Sequence, residues 1–220
     1  MTVDGKITTK SYGPVDFTSR EDKLHLFRQR GLADAVLIGY GTLKRDNVRL
    51  GLPAQLREER IRRGLAPTPL RVIVSNKGEI DHQLRIFETE SERAGPIVIF
   101  STHDMPQKVR DRIRTKAKLH LDDKDRVNLA AMLSVLRRDY KVRTVACEGG
   151  PKLFRSLLEL GLIDQLNLTV APFLFGGATA PTLTGFDTDF LPASVHCRLE
   201  NMRVVGDECF LTYRIKQTRK

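Results

Sequence analysis

Short apolar runs alternate with helical stretches over residues 33–161, and this order constrains the fold more than any other feature. The runs have the length and β-branched content of buried strands: ADAVLIGYGT, which leads into a glycine-containing loop, LRVIVSN, GPIVIFST, KLHL and RTVACE. The stretches 53–64, 105–117 and 128–140 are predicted to be helices, the last with Asn128 as its N-cap. This alternation favours a mostly parallel sheet with helices on both faces.

The C-terminal part has a different pattern. Strand-like segments over 164–177, 193–206 and 208–216 follow one another without a long helix between them, and GDE at 206–208 predicts a hairpin. We therefore expect an α/β body with an antiparallel C-terminal edge. No linker or repeat divides the chain, so residues 1–220 are predicted to form a single domain. The irregular stretch 176–194 is expected to cover a site.

The charge balance limits the possible partners. Lys and Arg number 37 against 27 Asp and Glu, a net charge of +10. This surplus suits phosphorylated ligands, whereas nucleic acid is not the expected partner because the basic residues are dispersed and no aromatic residues interleave with them. No apolar run reaches the length of a membrane span, and the polar N-terminus does not resemble a secretory signal. Three unpatterned cysteines predict reduced thiols in a cytoplasmic protein.

The segment CEGGPKLFRSLLELG, residues 147–161, joins a strand to a helix through two glycines. Leu153, Leu157, Leu158 and Leu160 have near-helical spacing, and Gly161 ends the pattern. Free N–H groups at such a helix start can hold a phosphate. The five histidines lie singly without metal-ligand spacing, and no nucleophile elbow or Walker loop occurs. Metal and covalent catalysis are therefore not expected.

Three motifs, in order along the chain, resemble those of the riboflavin-biosynthesis pyrimidine reductases. They are VDGKI at 3–7, DAVLIGYGTLKRDNVRL at 34–50 and EGGPKLFRSLLELGLIDQLNLTVAPFLFGG at 148–177. The resemblance implies a dihydrofolate reductase-like three-layer sandwich and a homodimer. It also implies NADPH as cofactor and a ribosylamino-pyrimidine phosphate as substrate, whose opened ribosyl group is reduced to a ribityl chain. The bifunctional members carry a zinc deaminase domain, and here no His-x-Glu or Cys-x-x-Cys is present.

The resemblance also implies site residues. Lys6 and Asp46 match catalytic positions, Lys6 to polarise or protonate the group that accepts hydride and Asp46 to organise the proton path. Glu148, Arg30 and Leu50 match substrate-binding positions. The cofactor-binding positions are Thr42, Asp46, Ser75, Gly149, Gly150, Pro151, Lys152, Leu153, Phe154, Arg155 and Ser156. Asp4 and Gly5 are expected to shape the turn before Lys6.

Each of these residues also has an ordinary structural interpretation. Lys6 could be an exposed turn lysine, Glu148 a salt-bridge partner, Arg30 a residue on a solvated helix face and Leu50 a core leucine. Thr42 and Asp46 could be helix caps or loop hydrogen-bond partners. The glycine pair could form only a tight turn.

Two departures from the family pattern bear on the ligands. The family's first strand, which precedes the turn at 3–7, is absent from this sequence, so we expect another segment to fill the sheet or the start to lie upstream. Pro53 stands where the family has an arginine for the substrate phosphate. Two other functions are therefore kept open. One is a reductase of the same fold for another, pterin-like heterocycle, and the other is a non-catalytic basic protein that binds nucleotide or nucleic acid.

Overall fold

The computed structural model describes residues 1–8, 19–88, 95–185 and 190–216. Contacts along the chain divide it into two units. The central unit comprises Leu24–Gly150, and the terminal unit combines Met1–Lys23 with Pro151–Lys220. No helix among the described residues is long and apolar enough to cross a membrane.

Five parallel strands form the sheet of the central unit, in the order β4-β3-β2-β1-β5. The strands are β1 (Ala35–Gly39), β2 (Leu70–Ser75), β3 (Ile97–Thr102), β4 (Lys118–Asp122) and β5 (Val145–Gly149). All of them lie within or next to the runs predicted as strands. Every residue of β3 is buried, as expected for a strand covered on both faces. The parallel order also matches the prediction and brings the carboxyl ends of the strands to one edge of the sheet.

One helix, α1 (Arg20–Leu32), precedes β1. The helices that connect the strands are α2 (Tyr40–Asp46), α3 (Ala54–Arg62), a short 3-10 helix (Arg85–Phe87), α4 (Gln107–Arg114) and α5 (Leu129–Asp139). The Asn128 side chain accepts a hydrogen bond from the Ala131 N–H at 3.0 Å, so the predicted N-cap of α5 is confirmed. The loop predicted after β1 is wrong, because the chain enters α2 directly after Gly39. Leu43 of α2 is fully buried, and this packing outweighs the low helix propensity of Gly41.

Two buried arginines hold backbone carbonyls in the central unit. Arg71 donates to the carbonyls of Ile86 at 2.6 Å, Gly95 at 2.7 Å and Arg49 at 3.2 Å. Arg60 donates to the carbonyls of three other residues, Gly31, Ala33 and Ala66. Desolvation lowers the pKa of Arg71 to about 10, so the group stays charged at neutral pH. Each guanidinium thus binds several backbone carbonyls in loops and in short or terminal helical turns.

The terminal unit contains α6 (Pro151–Glu159), β6 (Gln165–Val170), β7 (His196–Val205) and β8 (Glu208–Lys216). The three strands form an antiparallel sheet of their own in the order β6-β8-β7, rather than an edge of the parallel sheet. The predicted hairpin is confirmed: Gly206, with φ of +57°, and the next residue join β7 to β8. At the start of the chain, Thr2 forms a parallel bridge with Ala171, just beyond β6.

Candidate active site

A buried ion pair lies at the carboxyl end of β5. Arg30, in the last turn of α1, donates from Nη2 to Glu148 Oε2 at 2.6 Å and from Nε to Glu148 Oε1. The two side chains are only 8% and 11% exposed. A fork of two N–H groups on two carboxylate oxygens is the strongest geometry that such a pair can adopt. Two of the predicted substrate-binding residues are therefore in direct contact.

The remaining contacts of Arg30 tie this pair to neighbouring segments. Its Nη1 donates to the carbonyl of Gly51 at 3.2 Å, in the segment between α2 and α3. Its guanidinium carbon lies 5.3 Å from the centre of the Phe27 ring. Sequence reasoning did not identify Gly51 or Phe27, because a carbonyl acceptor and a ring face leave no motif. Arg30 of α1 thus fixes the Glu148 carboxylate, and the Gly51 carbonyl, in the loop after α2, fixes Arg30 in turn.

The predicted cofactor residues Thr42, Gly149 and Gly150 come together beside this pair in the central unit. The two glycines have φ of +50° and +94°, in the left-handed region that favours glycine. A Cβ on Gly149 would meet nothing within 4 Å, whereas one on Gly150 would overlap the Thr42 hydroxyl. The backbone at Gly149 is therefore open to close approach by a ligand, while Gly150 packs against α2.

Three other predicted residues of the central unit have ordinary surroundings. Leu50 is 2% exposed and packs in the hydrophobic core, so a substrate contact by its side chain stays a prediction. Ser75, at the end of β2, accepts a hydrogen bond from the Gly78 N–H at 3.2 Å. Asp46 lies at the end of α2, where desolvation by the nearby chain raises the pKa of its carboxyl, against the effect of adjacent Arg45. Contacts of Ser75 and Asp46 with cofactor stay predictions.

The terminal unit holds the turn with Lys6. Asp4 accepts hydrogen bonds from the Thr2 hydroxyl at 2.6 Å, the Gly176 N–H at 2.6 Å and the Phe175 N–H at 3.2 Å. These bonds, led by the one from Thr2, lower the pKa of Asp4 to about 2. Gly5 has φ of +80°, as the turn prediction requires. The Asp4 carboxylate therefore joins the turn at residues 2–6 to the segment after β6.

Lys6 is fixed through its backbone. Its N–H donates to the Thr2 hydroxyl at 2.8 Å, and it bridges Thr182 in antiparallel fashion. Within the described parts of the chain, no carboxylate or other acceptor pairs with its ammonium group. The backbone of Lys6 is thus held by the turn and by Thr182.

Residues 151–156 begin α6, as predicted. Arg155 pairs with Glu159 one turn further on at 2.8 Å and donates to the carbonyl of Phe190 at 3.0 Å. The Ser156 hydroxyl donates to the carbonyl of Lys152 at 3.0 Å. Of the predicted site residues, those from Pro151 onward and Lys6 belong to the terminal unit, and the others belong to the central unit. The predicted cover of the site, 176–194, is described only in part because residues 186–189 lie outside the described residues.

A cavity of about 230 Å³ lies near the carboxyl ends of β3 and β4 and the start of α5. Its polar lining includes His120, Asp122 and Asn128. The His120 Nε2 lies 2.8 Å from the Tyr140 hydroxyl, and burial lowers the pKa of this imidazole. None of the predicted site residues lines this cavity. Among the residues that the structure describes, no group of three or more His, Cys, Asp or Glu side chains could hold a metal ion.

Comparison with known proteins identifies relatives over nearly the full chain. A family described as the RibD C-terminal domain matches residues 1–211. The chain is 32% identical over 216 residues to a 2,5-diamino-6-ribosylamino-4(3H)-pyrimidinone 5′-phosphate reductase from Archaeoglobus fulgidus. The alignment covers 98% of this chain and 94% of that protein. A reductase of the same name from Methanothermobacter thermautotrophicus is 27% identical over 217 residues, and that alignment covers 98% of this chain and 95% of the relative.

Solved structures share the fold. A pyrimidine reductase-like protein from Corynebacterium diphtheriae superposes with a TM-score of 0.82 at 21% identity, and the superposition covers 98% of this chain and 89% of that protein's chain. The Saccharomyces riboflavin biosynthesis reductase superposes with a TM-score of 0.69 at 17% identity, and the superposition covers 98% of this chain and 86% of that chain. The predicted α/β fold class is therefore confirmed by strand topology and by superposition.

Proposed function

Because the chain belongs to the RibD C-terminal domain family, we propose that it is the pyrimidine reductase of riboflavin biosynthesis. The substrate would be the ribosylamino-pyrimidine 5′-phosphate named for its archaeal relative, and the reaction would reduce the ribosyl group to ribityl. The observation that carries the proposal is the sequence identity of 32% to that relative, over 98% of this chain. The family predicted from the three sequence motifs is the one that the comparisons found.

Glu148 is the residue we assign to the pyrimidine. Each of its carboxylate oxygens accepts one bond from Arg30, and a carboxylate has about four acceptor positions, so further donors can bind. The ring N–H and amino groups of a diaminopyrimidinone are such donors. Its place at the carboxyl end of a parallel strand also supports the assignment, since ligands of open α/β sheets bind there.

We infer that the reductant is NADPH, which would supply the hydride when bound. The open space beside Gly149 supports this inference, since a backbone without a side chain lets a pyrophosphate approach. Thr42, Asp46, Ser75 and Gly150 are the other residues of the central unit that we assign to the cofactor. The net charge of +10 favours the form with the extra phosphate. The contributions of residues 151–156 stay predictions from the sequence.

Lys6 is proposed to stabilise the reacting centre. Charge develops on the nitrogen or oxygen beside the carbon that is reduced, and a fixed cation lowers the energy of that state. Two observations support this role. The backbone of Lys6 is held by Thr2 and Thr182, and its ammonium group has no partner among the described residues. Asp46 is proposed as the residue that organises the proton path.

The remaining proposals concern organisation. We propose that residues 1–220 act as one reductase domain and that two copies form a homodimer. A cytoplasmic location is supported by the three free thiols, Cys147, Cys197 and Cys209. Analytical ultracentrifugation tests the dimer.

The function is tested by a direct spectrophotometric assay with purified protein. The substrate phosphate and NADPH are mixed, NADPH absorbance is followed, and the product is identified by a mass gain of two hydrogens. We expect turnover with this substrate, none with a pterin, and a lower Kd for NADPH than for NADH by fluorescence titration. Consumption of NADPH only with a pterin would contradict the substrate, and failure to bind NADPH would contradict the enzyme class.

A further inference from the structure

We propose that one face of the antiparallel sheet β6-β8-β7 is the surface through which two copies of this chain associate. This rests on the homodimer of the proposed function, for which it assigns the interface. It does not depend on which compound the protein reduces.

The register of the sheet brings apolar side chains to one face. Directly opposed residues of antiparallel strands project to the same side of a sheet, and so do alternate residues of one strand. On the central strand β8 this side carries Cys209, Leu211 and Tyr213, and β6 places opposite them Val170, Leu168 and Leu166. The opposed residues of β7 are Val204, Met202 and Leu199. These nine residues form three rows of three without a charged side chain, and they are named the apolar face.

The rest of the chain does not bury the apolar face. None of its nine residues is buried, and Leu199, Met202 and Val204 are 49%, 60% and 58% exposed. Every residue of β3 in the central unit, in contrast, is buried. A contiguous exposed apolar patch on a folded chain is typical of an interaction site, because leaving it in water forfeits the free energy of burial.

The other face of the same sheet is polar, and its side chains have partners within the chain. Glu200 accepts hydrogen bonds from Arg198 at 2.9 Å and from Arg214 at 3.3 Å. The Thr212 hydroxyl donates to the Asn167 side chain at 3.2 Å. The charged groups of the sheet are thus directed away from the apolar face, so a partner that covers this face desolvates none of these pairs.

The contact is made by the face and not by the outer edge of β7. A β-bulge lies between Leu199 and Asn201, and Arg198, Glu200 and Arg203 lie along the strand. Bulges and charges are features by which proteins keep edge strands from pairing with other strands. The same bulge keeps Leu199 and Met202, three residues apart, on one side of the sheet. β7 is therefore protected along its edge but not on its apolar side.

The size and composition of the apolar face fit a second copy of the chain. Three rows on three strands cover about 15 Å by 20 Å, the dimensions of the fully buried centre of a standard interface of about 800 Å² per partner. Such centres are most apolar in homodimers, whereas the interfaces of transient partners are as polar as the rest of the surface. A two-fold axis brings one patch against itself, and two sheets then pack about 10 Å apart with interdigitated side chains.

Sedimentation equilibrium with Met202→Glu tests the proposal. We expect the wild type to be a dimer and the variant to have a dimer Kd raised roughly 10²-fold or more, because its carboxylate would be buried against a face without a cation. Asn201→Glu is the matched control: it adds the same charge one residue away, at an exposed position on the polar face. Its Kd should stay within a few-fold of the wild-type value, and equal losses in the two variants would overturn the proposal.

Cys209 gives a second readout in the unmodified protein, which does not require that Met202→Glu folds. Its thiol lies on the apolar face, so the rate of iodoacetamide labelling per molecule should rise as the protein is diluted from dimer to monomer. In a folded Met202→Glu variant, checked by circular dichroism, the rate should be high at every concentration. A rate for the wild type that is the same in dimer and monomer would overturn the proposal.

The outcomes separate this proposal from the others. A wild type that sediments as a monomer, whether or not it binds anionic lipid vesicles, would overturn both the dimer and this interface. A dimer that Met202→Glu leaves intact would overturn the interface alone. A dimer that Met202→Glu dissociates, from a protein that reduces no pyrimidine, would support the interface while contradicting the proposed reaction.

Discussion

The Thr42 hydroxyl occupies the space in which a side chain on Gly150 would have to lie. Gly150 also has φ of +94°, which residues with a Cβ adopt only with strain. A Cβ on the neighbouring Gly149, whose φ is +50°, would have nothing within 4 Å. Gly150 is therefore required both for packing against α2 and for its backbone conformation, whereas the fold requires Gly149 for its backbone conformation alone.

We expect Gly150→Ala to lower the free energy of unfolding more than Gly149→Ala does. The Gly149 change costs about 1 kcal/mol for a left-handed residue, and the Gly150 change adds the displacement of Thr42. Urea unfolding of both variants measures the difference. Equal losses would contradict the packing role of Gly150. Gly150→Ala in a Thr42→Ala background, where the hydroxyl is removed, should recover part of the loss.

Asp4→Asn tests the carboxylate that joins the turn at residues 2–6 to the segment after β6. Folding lowers the pKa of Asp4 from 3.8 to about 2, so its contribution to stability is complete above about pH 5 and is lost progressively as the pH falls through 2. We expect the melting temperature of Asp4→Asn to be lower than that of the wild type at pH 6, with the difference shrinking between pH 4 and pH 2. A constant difference over this range would contradict the assigned hydrogen bonds.

Thiol modification should distinguish Cys147 from Cys197. Desolvation raises the pKa of Cys147 to about 11, while Cys197 is exposed. At pH 8 the thiolate fraction of Cys147 is then roughly 10²-fold below that of an ordinary thiol, so iodoacetamide should label Cys197 first. Peptide mapping by mass spectrometry measures both rates, and labelling in urea is the control in which the two should converge. Rapid native labelling of Cys147 would contradict its raised pKa.

Lys6→Met should lower kcat roughly 10²-fold while leaving NADPH affinity within a few-fold. The reason is that a fixed cation stabilises charge that exists only in the transition state. Steady-state kinetics and a thermal melt test this, with Lys118→Met, an exposed lysine of β4, as the control. Near-normal turnover in Lys6→Met would return Lys6 to an ordinary turn residue, and so would a collapse of its melting temperature.

Glu148→Gln should raise KM for the pyrimidine as well as lower kcat/KM. The amide replaces one acceptor oxygen with a donor, so it loses a charge-assisted bond to the substrate and disturbs the pair with Arg30. Separate measurement of kcat and KM tests this, with NADPH affinity as the internal control. An unchanged KM would mean that Glu148 serves only as the partner of Arg30.

Local pattern in the sequence was sufficient for much of the fold. The buried strands, the α5 cap at Asn128 and the turn at Gly206 were predicted correctly, because each depends on residues close together in the chain. The helix after Gly39 was not predicted, since two glycines favour a loop locally and only the burial of Leu43 offsets them. The three ordered motifs also identified the family, as the comparisons found.

The sequence marked Arg30 and Glu148 as site residues, but only the tertiary structure decided that they contact each other. They are 118 residues apart, and their meeting depends on how α1 packs relative to β5. The same holds for Thr42 beside Gly150, and for the pairing order β6-β8-β7 of the antiparallel strands. Periodicity reports which face of an element is buried, because that is a property of nearby residues. It carries no information about which distant segment covers that face, because that choice is made by packing and by the pairing of buried polar groups.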